Sequence, residues 1–257
     1  DYYTSKWYDA RLPDLAHRVK GVTTETVSPQ QVRVHISAEM TEPGNAIPVF
    51  EVDYYYNVLA NGYVTLGQTV TPVYNFEGVG LPRLGLQMEV PQEYDTFTWF
   101  GNGPHETYRD RKKGARVDRY QAPVSNQYFP YVRPQASGNK TAVRWASLTD
   151  EDGTGIQIVS VPSVLDGQSD LSVFPDTTDL SNLKGGPLEV TALPYTTKSI
   201  DKALYNDELT KHENIVLSVD RIQAGAGNMP KFRLAEYEVP PESVKYVVIL
   251  RPVNLKP

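Results

Sequence analysis

The sequence contains no cysteine, only four histidines and no long apolar run. The absence of cysteine excludes disulfide bonds, thiolate zinc sites and a cysteine nucleophile. The histidines are scattered and never stand in a metal-binding spacing, such as two histidines about four residues apart on one helix. Because no stretch approaches about 18 consecutive apolar residues, the sequence predicts no membrane-spanning helix, and no membrane partner is expected.

Positive charge is also in short supply. The chain has 25 Lys and Arg against 31 Asp and Glu, a net charge of −6. An acidic chain does not favour a phosphate-binding surface, so nucleic acid is not an expected partner. Residues 109–119 form a local basic stretch of six basic and two acidic residues without aromatic residues between them. We interpret this stretch as a loop held by arginine–carboxylate pairs.

Hydrophobic residues alternate with polar ones in many segments of the 257-residue chain. This period of two is typical of half-buried strands. It predicts strands over 32–40, 50–58, 63–73, 84–90, 96–100, 142–149, 155–161, 188–193, 215–222, 232–239 and 244–250. Asn61-Gly62 predicts a two-residue type I′ turn.

Only two short helices are predicted, over 12–19 and over 199–204, the second capped by Thr196 or Thr197. Most proline and glycine residues stand between the predicted strands, where they act as turn residues. Composition does not shift along the chain, and no repeat of fixed period occurs. The sequence therefore predicts one all-β domain over residues 1–257, a large antiparallel sandwich.

His105-Glu106 is an adjacent acid–base pair on a predicted loop. A histidine and a carboxylate of this kind can share proton transfer, but such pairs are more often structural. The acidic turn at 150–153 lacks the later ligands of a calcium loop, since Ile158 and Val161 stand at those positions. We interpret it as a hairpin turn, and the residues alone indicate neither a catalytic centre nor a metal site.

Four segments carry a more specific signal. They read WFGNGPHETYRDRK at 99–112, YFPYVRPQ at 128–135, GNKTAVRW at 138–145 and LSVDRIQAGAG at 217–227. In sequence and in order they resemble the C-terminal domain of glycoside hydrolase family 2 β-galactosidases, also called the β-galactosidase small chain or domain 5. The first segment is similar to the W-(F/L)-G-x-G-P-x-E-x-Y-x-D-R signature of that domain.

The resemblance implies a β-supersandwich similar to galactose mutarotases and a non-catalytic role. In the family, the two carboxylates of the retaining mechanism lie in a separate (β/α)₈ barrel. The resemblance thus implies a barrel domain or large subunit as partner, a galactoside-type carbohydrate as ligand and an oligomeric full enzyme. It implies no cofactor in this chain and allows a divalent cation in the full enzyme. The chain alone is expected to be inactive.

Two departures from the family pattern affect the expected site. The family places a tryptophan platform for the sugar after its last glycines, whereas this chain has Gly227-Asn228-Met229-Pro230-Lys231-Phe232. Either Met229 or Phe232 is the candidate replacement. The chain is also expected to lack the opening strands of the family domain and to be part of a larger hydrolase. The residues expected to bind carbohydrate are His105, Glu106, Asn228 and Met229.

Two alternatives remain open from the sequence. A sugar mutarotase would use His105-Glu106 as its acid–base pair. A freestanding carbohydrate-binding module would bind sugar without chemistry. The compartment is left open between bacterial cytoplasm and periplasm.

Overall fold

The structure is a computed structural model that describes residues 2–161, 187–227 and 234–254. It contains two short α-helices, α1 (Tyr2–Asp9) and α2 (Thr197–Lys202). The strands are β1 (Ala16–Ser28), β2 (Gln31–Thr41), β3 (Phe50–Leu59), β4 (Val64–Pro72), β5 (Arg83–Pro91), β6 (Thr96–Gly103), β7 (Arg116–Pro123), β8 (Lys140–Val143), β9 (Trp145–Thr149), β10 (Thr154–Val161), β11 (Leu188–Leu193), β12 (Asn214–Gln223) and β13 (Val244–Asn254). The predicted all-β class, with antiparallel sheets and short helices, is confirmed.

The chain divides into two compact units, and each is described on its own. The first unit comprises Asp1–Pro82, Ser160–Gly185 and Gly227–Arg251. Its strands follow the order β1-β2-β3-β4-β13, each antiparallel to the next. The buried side chains of these strands include Val52, Leu66, Val70 and Val248. The hypothesis of a single domain over the whole chain stays a prediction.

The helix predicted over residues 12–19 is wrong. Residues 12–15 form an irregular turn in which Asp14 has a φ of 60°, and β1 begins at Ala16. From Ala16 to Ser28 the chain pairs with β2, and β-branched valines and threonines dominate this stretch. Such side chains favour strands over helices, and the pairing outweighs the weak helical pattern before it. The helix lies earlier, at Tyr2–Asp9, where the sequence predicted none.

The strand predicted over 232–239 is also not observed. Residues 232 and 233 lie outside the described residues, and the described remainder forms a 3₁₀ turn at Ala235–Tyr237. Val239 makes only an isolated bridge to Leu81. Two prolines follow at 240 and 241, and because proline lacks a backbone donor they prevent the ladder from continuing.

The predicted turn at Asn61-Gly62 is present but is not type I′. β3 ends at Leu59 and β4 begins at Val64, so the loop has four residues. Gly62 has a φ of 85°, whereas Asn61 is not in the positive-φ region that a type I′ turn requires at both positions. The Asn61 side chain instead accepts a hydrogen bond from the Tyr63 backbone nitrogen at 3.0 Å. This side-chain bond stabilises the wider loop.

The second unit comprises Arg83–Val159, Gly186–Ala226 and Pro252–Pro257. One of its strand sets follows the order β10-β9-β6-β7, and a four-stranded sheet follows the order β5-β12-β11-β8. The core of the unit consists of side chains that alternate along these strands. They include Phe97, Trp99, Leu148, Ile158, Val190, Leu217 and Val219, each at most 1% exposed.

The strand predicted over 142–149 is two strands that belong to different sheets. β8 pairs with β11, whereas β9 pairs with β6 and β10. Arg144 separates the two strands, and its Nη1 donates to the carbonyl oxygen of Ala142, a β8 residue with a φ of 55°, at 2.6 Å. Such a corner is how one chain segment changes sheets in a sandwich. It also places the start of β8 at the cleft described below.

Helix α2 begins as the sequence predicts. The Thr196 hydroxyl accepts a hydrogen bond from the Ser199 backbone nitrogen at 3.1 Å, which caps the helix, and Ile200 is buried beneath it. This is the ordinary N-cap arrangement for threonine. The prediction of the cap and of the helix is therefore confirmed, although the helix ends at Lys202.

Candidate ligand-binding site

A surface cleft of about 480 Å³ lies in the second unit, between β6, β7 and the start of β8. Its volume is within the range of small-molecule sites. Its lining residues, which define what we call the Trp99 cleft, are Trp99, Pro104, His105, Glu106, Arg111, Tyr120, Gln121, Ala122, Asn126, Gln127, Tyr128, Phe129, Tyr131 and Lys140. Three of the four signature segments therefore contribute to one concave surface.

Glu106 forms part of the wall of the Trp99 cleft, and its carboxylate is occupied by donors. Oε1 accepts hydrogen bonds from Arg111 Nη2 at 2.5 Å and from the Tyr131 hydroxyl. Oε2 accepts the Gly138 backbone N–H at 2.8 Å. A carboxylate whose two oxygens already accept three hydrogen bonds is poorly placed to accept a proton from a substrate. Its arrangement fits a residue that ties three segments of the cleft together.

Arg111 completes this wall. Its guanidinium donates to the Tyr131 hydroxyl at 2.8 Å and lies over the rings of Tyr108 and Tyr131, with centroid distances of 5.1 and 5.8 Å. Stacked guanidinium groups and bidentate contacts are typical of arginine. For Arg111, the interpretation of the basic stretch as a loop held by arginine–carboxylate pairs agrees with the structure.

The predicted carbohydrate-binding residues fall into two groups. His105 and Glu106 both line the Trp99 cleft, where His105 is exposed. Asn228 and Met229, together with the alternative Phe232, lie outside the described residues. The prediction that these residues bind carbohydrate stays a prediction, with His105 the member whose side chain is available to a ligand in the cleft.

The fourth signature segment meets the first through Asp110. Asp110 Oδ1 accepts the Ala226 backbone N–H at 2.9 Å. A Cβ on Gly225 would lie 2.7 Å from Asp110 Cγ, so any larger residue there would displace the Asp110 carboxylate. In the same segment, the buried Asp220 accepts hydrogen bonds from Arg83 Nη2 at 2.5 Å and from Gln223 Nε2 at 2.7 Å. The signature residues are thus explained largely as contacts that hold loops.

Sequence reasoning missed Lys140. It is the first residue of β8, is only 2% exposed, and its ammonium lies 4.9 Å from the centroid of the Trp99 ring. Burial lowers the pKa of Lys140 to about 8, and the negative charge of Glu106 offsets part of that effect. A signal was available in Asn139-Lys140-Thr141, where a charged residue precedes a predicted strand in a polar run. That run by itself is typical of a solvated loop.

A buried polar network holds β8 next to Lys140. Asn139 Nδ2 donates to Glu189 Oε2 at 2.8 Å and to the Thr107 carbonyl oxygen at 3.0 Å. Thr191 Oγ1 donates to Asn139 Oδ1 at 3.2 Å, and Glu189 Oε1 accepts the Gln223 backbone N–H at 3.2 Å. Burial raises the pKa of Glu189 to about 7, against the effect of these two donors. The network fixes the strand on which Lys140 sits.

The described residues contain neither a cluster of metal ligands nor a membrane-spanning helix. No group of three or more His, Asp or Glu side chains there could hold a metal ion. No helix in the described part of the chain is long and apolar enough to cross a membrane.

Comparison of the sequence with known families gives one match over almost the whole chain. A profile of the family described as "Beta galactosidase small chain" matches residues 1–250. A β-galactosidase of Priestia megaterium is 30% identical over 217 residues, which are 84% of this chain and 18% of that protein. A β-galactosidase of Halalkalibacterium halodurans is 27% identical over 227 residues, or 88% of this chain and 19% of that protein.

The chain therefore spans less than a fifth of the length of these relatives. Among solved structures, galactose 1-epimerase from Lactobacillus acidophilus matches 93% of this chain and 66% of its own chain, with 10% identity and a TM-score of 0.39. A likeness of that size carries no conclusion about function.

Proposed function

Because this chain belongs to the β-galactosidase small chain family, we propose that it is the C-terminal, non-catalytic domain of a glycoside hydrolase family 2 β-galactosidase. In this proposal it is equivalent to domain 5 and packs over the catalytic barrel, where it helps to shape the carbohydrate pocket. The barrel belongs to the same protein or to a large subunit, and the full enzyme is oligomeric. The match over residues 1–250 carries the proposal.

Two further observations support a non-catalytic role. The chain corresponds to less than a fifth of the length of its β-galactosidase relatives, which leaves room for a barrel elsewhere. Glu106, the carboxylate of the predicted acid–base pair, is held by Arg111, Tyr131 and the Gly138 backbone nitrogen. A mutarotase would need a carboxylate that is free to accept a proton, so this occupancy disfavours that alternative.

The proposal assigns the carbohydrate contacts to His105, Glu106, Asn228 and Met229. Of these, Glu106 acts mainly by holding the wall of the Trp99 cleft, and His105 offers its exposed ring to a sugar hydroxyl. Met229 or Phe232 takes the place of the family's tryptophan platform. No cofactor is assigned to this chain, and any divalent cation belongs to the rest of the enzyme.

Separating the chain from the rest of its protein tests the proposal. We expect neither part alone to hydrolyse o-nitrophenyl β-galactoside at an enzyme-like rate, because the barrel holds the carboxylates and this chain completes the pocket. Mixing the two parts should restore hydrolysis, with a rate that saturates as this chain is added. Hydrolysis by this chain alone, or full activity of the other part without it, would show the proposal to be wrong.

Substituting alanine for His105 tests the contact within the pocket. In the whole protein, we expect KM for the aryl galactoside to rise about 3- to 10-fold, with kcat changed less than about twofold, because one hydrogen bond to a neutral hydroxyl is lost. Lys113→Ala, at an exposed position of the neighbouring loop, is the matched control and should leave both constants unchanged. Equal KM values for the two variants would show that His105 does not contact the sugar.

A further inference from the structure

Lys140 carries a charge that the described residues leave without a counter-ion. Lys140 is only 2% exposed, and its ammonium lies over the face of Trp99, 4.9 Å from the ring centroid. Among the residues that the structure describes, none accepts a hydrogen bond from Nζ or forms an ion pair with it. Because a buried ammonium without an acceptor is costly, an acceptor supplied by a bound molecule would be held strongly.

The acidic residue that lines the cleft does not supply this acceptor. Glu106 is the acidic residue of the cleft lining, and both its oxygens already accept hydrogen bonds, from Arg111 and Tyr131 on one side and from Gly138 on the other. Arg111 and Glu106 balance each other. The lining therefore keeps the positive charge of Lys140, which a single negative charge on a ligand would neutralise.

The other residues that line the cleft indicate what the uncharged part of that ligand is. The rings of Tyr120 and Phe129 present apolar surface in front of the buried Trp99, and Phe129 is about half exposed. Gln121 and Asn126 add exposed amide groups at the same cleft. Rings that cover C–H faces, together with amides that bond hydroxyl groups, are the usual means of binding a sugar ring.

We propose that the Trp99 cleft binds a monoanionic saccharide, a sugar ring that carries one carboxylate, with the carboxylate on Lys140 Nζ and the ring against the aromatic wall. This inference goes beyond the proposed function, which concerns neutral galactosides. It does not depend on that function, because it rests on the charge balance and the lining of a cleft within the second unit.

Titration calorimetry on the whole protein that contains this chain tests the proposal, with galacturonate, galactose and acetate as probes. We expect galacturonate to bind at least about tenfold more tightly than galactose, since a charge-assisted hydrogen bond is added. Lys140→Met should abolish this preference. The matched control Lys113→Met, at an exposed lysine outside the cleft, should retain it.

The pH dependence of the unaltered protein provides a second measurement that needs no variant. Because burial lowers the pKa of Lys140 to about 8, galacturonate affinity should fall about tenfold or more between pH 7 and pH 9.5, while the ligand stays ionised. Equal affinities for galacturonate and galactose, an affinity constant across this pH range, or a preference that survives in Lys140→Met would each overturn the proposal. Acetate binding as tightly as galacturonate would overturn its saccharide part.

Discussion

Substituting alanine for Gly138 should lower the free energy of unfolding by about 3 kcal/mol or more. Gly138 has a φ of 77°, and a Cβ there would lie 2.4 Å from the Gln127 carbonyl oxygen. That oxygen belongs to backbone that cannot easily move, since Gln127 N bonds the Val124 carbonyl oxygen at 3.0 Å. Strain and steric clash therefore add at one position. Urea denaturation of the chain, followed by tryptophan fluorescence, measures the loss.

Gly78→Ala separates the two causes. Gly78 has almost the same φ, 79°, but nothing lies within 4 Å of a Cβ built there. We expect this variant to lose only the cost of the left-handed conformation, about 1 kcal/mol. The difference between the two variants then measures the clash with Gln127. If Gly138→Ala is no less stable than Gly78→Ala, the close packing at Gly138 is not as the structure describes it.

Gly138 also helps to hold the wall of the Trp99 cleft. Its backbone nitrogen donates to Glu106 Oε2, so a shift of the backbone would release one of the three donors that hold that carboxylate. The wall of the Trp99 cleft would loosen as the protein is destabilised. The position of the Glu106 carboxylate thus depends on a glycine 32 residues away in sequence.

Local alternation predicted most strands because it records which face of a strand is buried. β3 and β11 begin and end within one residue of the predicted ranges. The same reasoning failed at residues 12–19 and 142–149, because their conformation depends on partners distant in sequence. β1 is a strand because it pairs with β2, and the chain changes sheets at Arg144, between β8 and β9. Pairing partners and sheet changes leave no periodic signal in the local sequence.

The candidate site, too, could be predicted from the sequence only in part. The first signature segment contains His105 and Glu106, which line one cleft. Whether the Glu106 carboxylate is free depends on Tyr131 and Gly138, which lie 25 and 32 residues further along the chain. Lys140 was missed for the same reason. Its burial results from packing over Trp99, a contact between residues that the sequence does not place together.

Substituting methionine for Lys140 should raise the free energy of unfolding by about 2 kcal/mol at pH 7. Burial lowers the pKa of Lys140 from 10.5 in the unfolded chain to about 8, so at neutral pH the folded state carries an ammonium in a site that disfavours it. Methionine keeps the length of the side chain and removes the charge. The loss of the cation–π contact with Trp99, on the order of 1 kcal/mol, is already subtracted from the expected gain.

The increase in the free energy of unfolding caused by Lys140→Met should become smaller as the pH rises. Below pH 8 the lysine is protonated in both states, and its full cost is present. As the pH rises from 8 towards 10.5, the folded state holds neutral lysine while the unfolded chain still binds the proton. The destabilisation by the buried charge therefore decreases, and the stabilisation by Lys140→Met decreases towards zero. Lys113→Met, at an exposed position, should differ from the parent chain by less than about 0.5 kcal/mol at every pH. A stabilisation by Lys140→Met that stays constant from pH 7 to pH 10.5 would mean that hydrophobic packing, and not the buried charge, accounts for it.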